Sequence, residues 1–281
     1  MSIKKHIPNM ITCGNLFCGC LAIVCAFNGN LVWSAYLVGI AAVLDFFDGF
    51  VARLLKVGGE LGKQLDSLAD MVTFGVVPGV VMYHLLRLSF TTTGGGWVVY
   101  PPLSALANTT PAEIHPVPEL LTYAAFLITI FSALRLAKFN IDTRQTTSFI
   151  GVPTPANSIL ICSFPLILGL NSTGSTNTIK GLEYEEYFFS VQPNSMAHDI
   201  LLNPYFLVCL TLLMSYLLVA ELPLFALKFK NFGWTDNKIR YSFLIISVVL
   251  LILFQFVAIP FIIFLYIVMS VINNMMHRVN E

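Results

Sequence analysis

Apolar residues run along this chain in long stretches with few polar interruptions. Eight such stretches are read from the pattern, at roughly 9–27, 31–52, 66–88, 119–140, 156–170, 203–227, 240–258 and 260–277. A helix needs about 20 predominantly apolar residues to cross the hydrocarbon core of a bilayer. The pattern therefore predicts an all-α fold, a polytopic transmembrane bundle of about eight spans. The fifth stretch is short, and the last two are divided only near Pro260. The short alternating segments of a transmembrane β-barrel are not evident. Two longer polar connections separate the spans: 89–118, with Gly94, Gly95, Gly96 and several prolines, and 171–202, rich in Asn, Ser, Thr and Glu.

Composition agrees with a chain surrounded by lipid. Of its 281 residues, 57% are hydrophobic and 11% charged, whereas soluble domains carry about 25% charged residues. Lys4 and Lys5 precede the first apolar run, as in a signal peptide. Pro8, Asn9 and Asn15 interrupt that run and no clear cleavage site follows, so it is read as a retained first helix. The six cysteines lie in or beside apolar runs and form no CxxC pair, which fits packing rather than a zinc or redox site. Net charge is zero, and no basic patch interleaved with aromatics suggests nucleic acid.

The distribution of charge orients the chain. With the N-terminus in the cytoplasm, one side holds Lys4, Lys5, Arg53, Lys56, Lys63, Arg135, Lys138, Arg144, Lys228, Lys230, Lys238, Arg240 and Arg278. The other side holds only Arg87 and Lys180. Cytoplasmic loops carry the excess of Lys and Arg, so both termini are expected on the cytoplasmic side and the two long loops outside.

Four aspartates interrupt this pattern. Asp45 and Asp48 are three apart near the end of the second span, and Asp66 and Asp70 are four apart at the start of the third. Each spacing puts both side chains on one helical face, and the segment 53–65 lets the second helix turn back along the first. Four converging carboxylates at a membrane would repel one another, and ionisable residues in spans generally mark function. Mg²⁺ or Mn²⁺ would remove the conflict, because both prefer oxygen ligands and leave positions open for phosphates. Gly49, Ala52 and Gly62 leave room near the cluster, and Arg53 sits at the aqueous end, able to pair with an aspartate or a phosphate. A single intramembrane aspartate has a bland explanation, a lysine partner or a helix cap. Four at helical spacing among small residues do not.

The run Asp45-Phe-Phe-Asp48-Gly49-Phe-Val-Ala52-Arg53, followed by Gly62, Asp66 and Asp70, resembles the signature of the CDP-alcohol phosphotransferases at all eight of its defining positions. The resemblance implies a two-ion site at the cytoplasmic membrane surface. Asp45, Asp48 and Asp66 would be metal ligands, and Asp70 the general base and a possible ligand. The cytidine nucleotide of a CDP-activated lipid would lie over Gly49, Ala52 and Gly62, with Arg53 beside it. Thr12 and Asn15 would line the nucleotide pocket, interhelical hydrogen bonding being the alternative for both. It also implies a six-helix family core over residues 1–225, an added pair of helices over 226–281, and a homodimer.

The acceptor is read from a second element. Arg135-Leu-Ala-Lys138-Phe-Asn140 is followed by Phe149-Ile-Gly151-Val-Pro153-Thr-Pro155. This pair is similar to the branch of the family that makes phosphatidylserine from CDP-diacylglycerol and L-serine. Arg135 could fork onto the serine carboxylate and Asn140 accept from its ammonium, with Lys138 on phosphate. The plain alternative is that these cations anchor the helix end. Glycerol 3-phosphate and inositol 1-phosphate are the competing acceptors, and their phosphates would call for more cations. A cation transporter is the reading from another class, but clear inverted repeats are lacking. Glu221 and the five histidines receive no catalytic role. The protein is expected in the inner membrane of the cell, in contact with membrane lipids.

Overall fold

The structure, a computed structural model, describes residues 6–57, 59–92, 120–141, 148–170, 196–225, 233 and 237–279. Most of both long polar connections lies outside these residues, as do Lys4, Lys5, Arg144, Lys180, Lys228 and Lys230.

Helix α1 (His6–Phe27) and α2 (Leu31–Leu54) form a hairpin. Gly29 closes α1 with φ +76°, and Asn30 starts α2 by accepting from the Trp33 N–H at 3.2 Å. At the far end α2 finishes with the paired hydrogen bonds of a Schellman turn, Lys56 N–H to Arg53 O at 3.2 Å and Val57 N–H to Ala52 O at 3.0 Å. Lys56 takes the left-handed position, φ +51°, where glycine is usual. After this tight turn α3 (Glu60–Asp70) passes into a π-helical segment (Met71–Val76) and then α4 (Val77–Thr92). The third passage therefore starts six residues earlier than the pattern of apolar residues indicated. Its first turns are polar on one face, and an average over residue types hides that face.

A 3₁₀ turn (Tyr123–Ala125) leads into α5 (Phe126–Ile141), and then come α6 (Thr154–Leu170), α7 (Met196–Leu201) and α8 (Pro204–Val219). Helix α9 (Lys238–Phe254) breaks at Gln255, φ +49°, and folds back onto α10 (Ala258–Val279). Four stretches up to residue 141, together with Lys238–Asn274, are long and apolar enough to cross a membrane. Thr154–Gly169 and Pro204–Val219 are apolar but shorter. With the last stretch folded in two, the described residues make eight helical passages. The chain is an integral membrane protein of all-α class.

Helix α6 is the centre of the bundle. Leu160, Ile161, Phe164 and Leu168 are fully buried, packing with Phe74, Leu85, Leu207, Met214 and, from α10, Ile263 and Ile267. Its polar residues Thr154, Asn157, Ser158 and Ser163 are buried as well, and a helix shielded from lipid need not match the bilayer thickness.

The sixth passage is shorter than the predicted 203–227. Helix α8 stops at Val219, and Ala220 turns extended with ψ 141°. The chain then forms β2 (Pro223–Phe225), which pairs antiparallel with β1 (Ser148–Ile150). Proline cannot continue the helix because it has no N–H to donate. This two-stranded ribbon was not visible in the apolar pattern, since three-residue strands carry no periodicity.

Candidate active site

The four aspartates meet between the end of α2 and the α3 passage, both of which pack against α1. Asp45, Asp48 and Asp66 each offer a carboxylate oxygen, all within 4.8 Å of one another. Asp70 joins them, its carboxyl lying beside that of Asp45. Two carboxylates in such contact repel unless a proton or a cation lies between them. Among the described residues no Lys, Arg or His forms an ion pair with any of the four. Acidic oxygens gathered this closely, without a basic partner, fit a hard divalent cation, which takes oxygen ligands at about 2.0–2.6 Å.

Helix α1 supplies the neutral side of the site. Thr12 is buried, and its hydroxyl donates to Asp48 Oδ2 at 2.6 Å, with Pro8 O as a longer contact at 3.1 Å. Asn15 is fully buried. Its Nδ2 donates to Asp70 Oδ1 at 3.5 Å, while its Oδ1 has no hydrogen-bond partner. Thr73, in the π-helical segment, donates to Asn15 O at 3.3 Å. In the same π-helical segment, directly after Asp70, the Gly75 carbonyl accepts from Thr129 Oγ1 of α5 at 3.0 Å. Thr73 and Thr129 were not singled out in the sequence. The only signal was a threonine at helical spacing in an otherwise apolar run.

The small residues divide. A Cβ on Gly49 would meet nothing within 4 Å, so the space above it is open. A Cβ on Gly62 would come to 3.2 Å from Asn9 Oδ1, so Gly62 lets α3 approach α1. Ala52 is half-buried and Arg53 exposed at the end of α2.

The predicted acceptor residues lie on α5 and fall into three situations. Arg135 is buried. Its Nε donates to Val152 O, and its Nη2 to Gly151 O at 3.2 Å. Two guanidinium nitrogens thus hold the turn that follows β1, and the group still lies within electrostatic reach of Asp70. Asn140 Nδ2 donates to Ser67 Oγ at 2.9 Å, and the Asn140 carbonyl accepts from Lys63 Nζ at 3.3 Å. Asn140 therefore braces α5 against α3, one residue from Asp66. Lys138 is exposed. Ser67 was missed because its partner is 73 positions away.

Comparison with known proteins agrees with this geometry. The chain is 32% identical over 175 residues to a CDP-diacylglycerol–serine O-phosphatidyltransferase of Bacillus subtilis, covering 60% of this chain and 84% of that one. It is 33% identical over 156 residues to the Helicobacter pylori (strain J99) protein of the same name, covering 55% of this chain and 54% of that one. An archaetidylserine synthase of Methanothermobacter thermautotrophicus is 29% identical over 163 residues, 57% of this chain and 58% of that one. The family model for CDP-alcohol phosphatidyltransferases matches residues 5–192, which include all four aspartates, Arg135, Asn140 and the Gly151 turn. With two-thirds of its length matched and the acidic cluster assembled on α2 and α3, this chain is an enzyme of the CDP-alcohol phosphatidyltransferase family.

Proposed function

We propose that the enzyme transfers the phosphatidyl group of CDP-diacylglycerol to the hydroxyl of L-serine, giving phosphatidylserine and CMP. The observation that carries this reading is the convergence of Asp45, Asp48 and Asp66 to within 4.8 Å, with Asp70 beside Asp45. The names of the relatives favour serine over glycerol 3-phosphate or inositol 1-phosphate as acceptor.

Asp45, Asp48 and Asp66 would hold Mg²⁺ or Mn²⁺, two ions by family resemblance, with Asp70 as a further possible ligand. Bound divalent ions would neutralise the diphosphate and the departing CMP. The chain's own residues supply the rest. The open space over Gly49, beside Ala52 and Arg53 and below the α1 residues Thr12 and Asn15, receives the cytidine diphosphate. The serine hydroxyl oxygen forms a bond to the lipid-bearing phosphorus. The bond from that phosphorus to the bridging oxygen breaks, and CMP leaves with the electron pair. Asp70 takes the hydroxyl proton as the attack proceeds, which a carboxylate within hydrogen-bond reach can do. The serine carboxylate is drawn to Arg135, and Lys138 is free to meet phosphate.

By the positive-inside rule the site and both termini face the cytoplasm, where serine and the CDP-lipid headgroup are met. Residues 1–225 form the transferase core and 226–281 the added helices, and the working unit is a homodimer.

The test is reconstitution of the purified chain with CDP-diacylglycerol, Mg²⁺ or Mn²⁺ and labelled serine. CMP release and lipid labelling should rise together. CMP release driven by another alcohol, with no label entering lipid from serine, would replace the acceptor and keep the family chemistry.

A further inference from the structure

The C-terminal helix pair lies beyond the residues matched to the family, yet it is joined to the acceptor side of the site by an unbroken series of contacts. On α10, Tyr266 donates from its hydroxyl to Phe225 O at 2.9 Å, and Asn274 donates to Pro223 O. Both acceptors are in β2. The rings of Phe225, Tyr266 and Phe243 pack together, with centroids 5.0, 5.6 and 6.0 Å apart, so that α9 and α10 grip the same strand.

Strand β2 pairs with β1, and the chain leaving β1 is fixed on both sides. Gly151 N–H donates to Leu222 O at 2.9 Å and Val152 N–H to Leu217 O at 3.0 Å. Gly151 has φ +75°, and a Cβ there would run into the carbonyls of Leu217, Leu218 and Ala220. The carbonyls of Gly151 and Val152 in turn receive the Arg135 guanidinium. A long side chain such as Arg carries considerable rotamer freedom. Its direction here is set by two backbone carbonyls, whose own position is set by β2, and β2 is held from outside by α10.

From this chain of contacts we infer that α10 is a positioning element for the acceptor alcohol. Tyr266 and Asn274 fix β2, which fixes the Gly151–Val152 turn and thereby aims Arg135 toward the space beside Asp70. The inference rests on the assignment of Arg135 to the acceptor side. Neither Tyr266 nor Asn274 is a catalytic residue, since both act through the backbone of the ribbon. Outer groups that orient metal-binding side chains change affinity or activity by about 10-fold or more when lost, and an effect of that size is expected here.

Tyr266→Phe and Asn274→Leu, each made in the full chain, keep volume and remove one donor. The KM for serine should rise on the order of tenfold in each, with the KM for CDP-diacylglycerol changed less than about twofold. Hydrogen exchange gives a second readout. The Gly151 and Val152 amides should exchange faster in both variants, with α1 and α2 amides unchanged. Asn274→Gln, which retains the donor, should recover part of the serine KM. Unchanged KM for serine together with unchanged exchange at residues 151–152 would overturn the inference. So would equal rises in both KM values, which would mean general loosening of the bundle. If the wild-type chain does not use serine, the proposed acceptor fails separately, and the same comparison is read with the alcohol it does use.

Discussion

The Thr12 hydroxyl donates to Asp48 Oδ2 at 2.6 Å, joining α1 to α2 across 36 positions of sequence. The bond is short and charge-assisted, and it leaves the second oxygen of Asp48 to the acidic cluster. It also fixes the rotamer of the most buried of the three clustered carboxylates. Thr12→Val keeps the shape and removes the donor. Affinity for Mn²⁺, followed by titration of activity or by calorimetry, should weaken by about 10-fold or more, as for other groups that orient a metal ligand. Unaltered Mn²⁺ affinity would mean that Thr12 serves only to pack the hairpin.

Loss of one carboxylate from the trio should be more severe. Asp66→Asn replaces an anionic ligand by a neutral one on α3, opposite Asp45 and Asp48. Turnover should fall by at least about 100-fold at fixed Mg²⁺, and raising Mg²⁺ should restore only a fraction. Exhaustive chelation of the wild-type enzyme should abolish turnover, with Mg²⁺ or Mn²⁺ restoring it. Full activity after chelation would remove the ion from the mechanism.

Asp70 is set apart from the trio by accepting from Asn15 Nδ2 at 3.5 Å. As the proton acceptor it matters for turnover more than for binding the donor lipid. Asp70→Asn should lower kcat by about 100-fold or more, the range of general-base catalysis, while the Kd for CDP-diacylglycerol stays within a few-fold of wild type. A variant that turns over nearly as fast as the parent would take Asp70 out of that role.

The turn that leads from α2 into α3 is made at a cost. Lys56 holds φ +51° in the position that glycine fills without a Cβ clash. Lys56→Gly should stabilise the protein by about 0.5–1 kcal/mol, since the left-handed conformation is disfavoured for residues with a Cβ. It should leave KM for both substrates unchanged. Thermal unfolding in detergent reads the first quantity, and a fall in Tm would show that the Lys56 side chain contributes more than the strain removes.

The acidic site was legible before any coordinates because its members are local. Asp45 with Asp48, and Asp66 with Asp70, share helical faces by spacing alone, and the intervening segment is short enough to bring both faces to one site. Apolar run length also gave the all-α class and the eight passages. Run length does not mark where a helix yields to another structure, so the end of α8 at Val219 and the β1–β2 ribbon escaped it. The role expected of Asn140 met a similar limit. Residue type marks its amide as a donor and acceptor, and the bond to Ser67 depends on how α5 packs against α3.

The sequence by itself determined the membrane class, the pair of aspartate-bearing helices and the family, because each depends on residue type at short separation. The tertiary structure alone decided that Thr12 reaches Asp48, that Arg135 grips the Gly151–Val152 turn, and that α10 holds the strand behind it. Those relationships depend on how helices far apart in sequence pack around α6. Side-chain hydrogen bonds act over about 3 Å, so their partners are set by that packing and not by spacing along the chain.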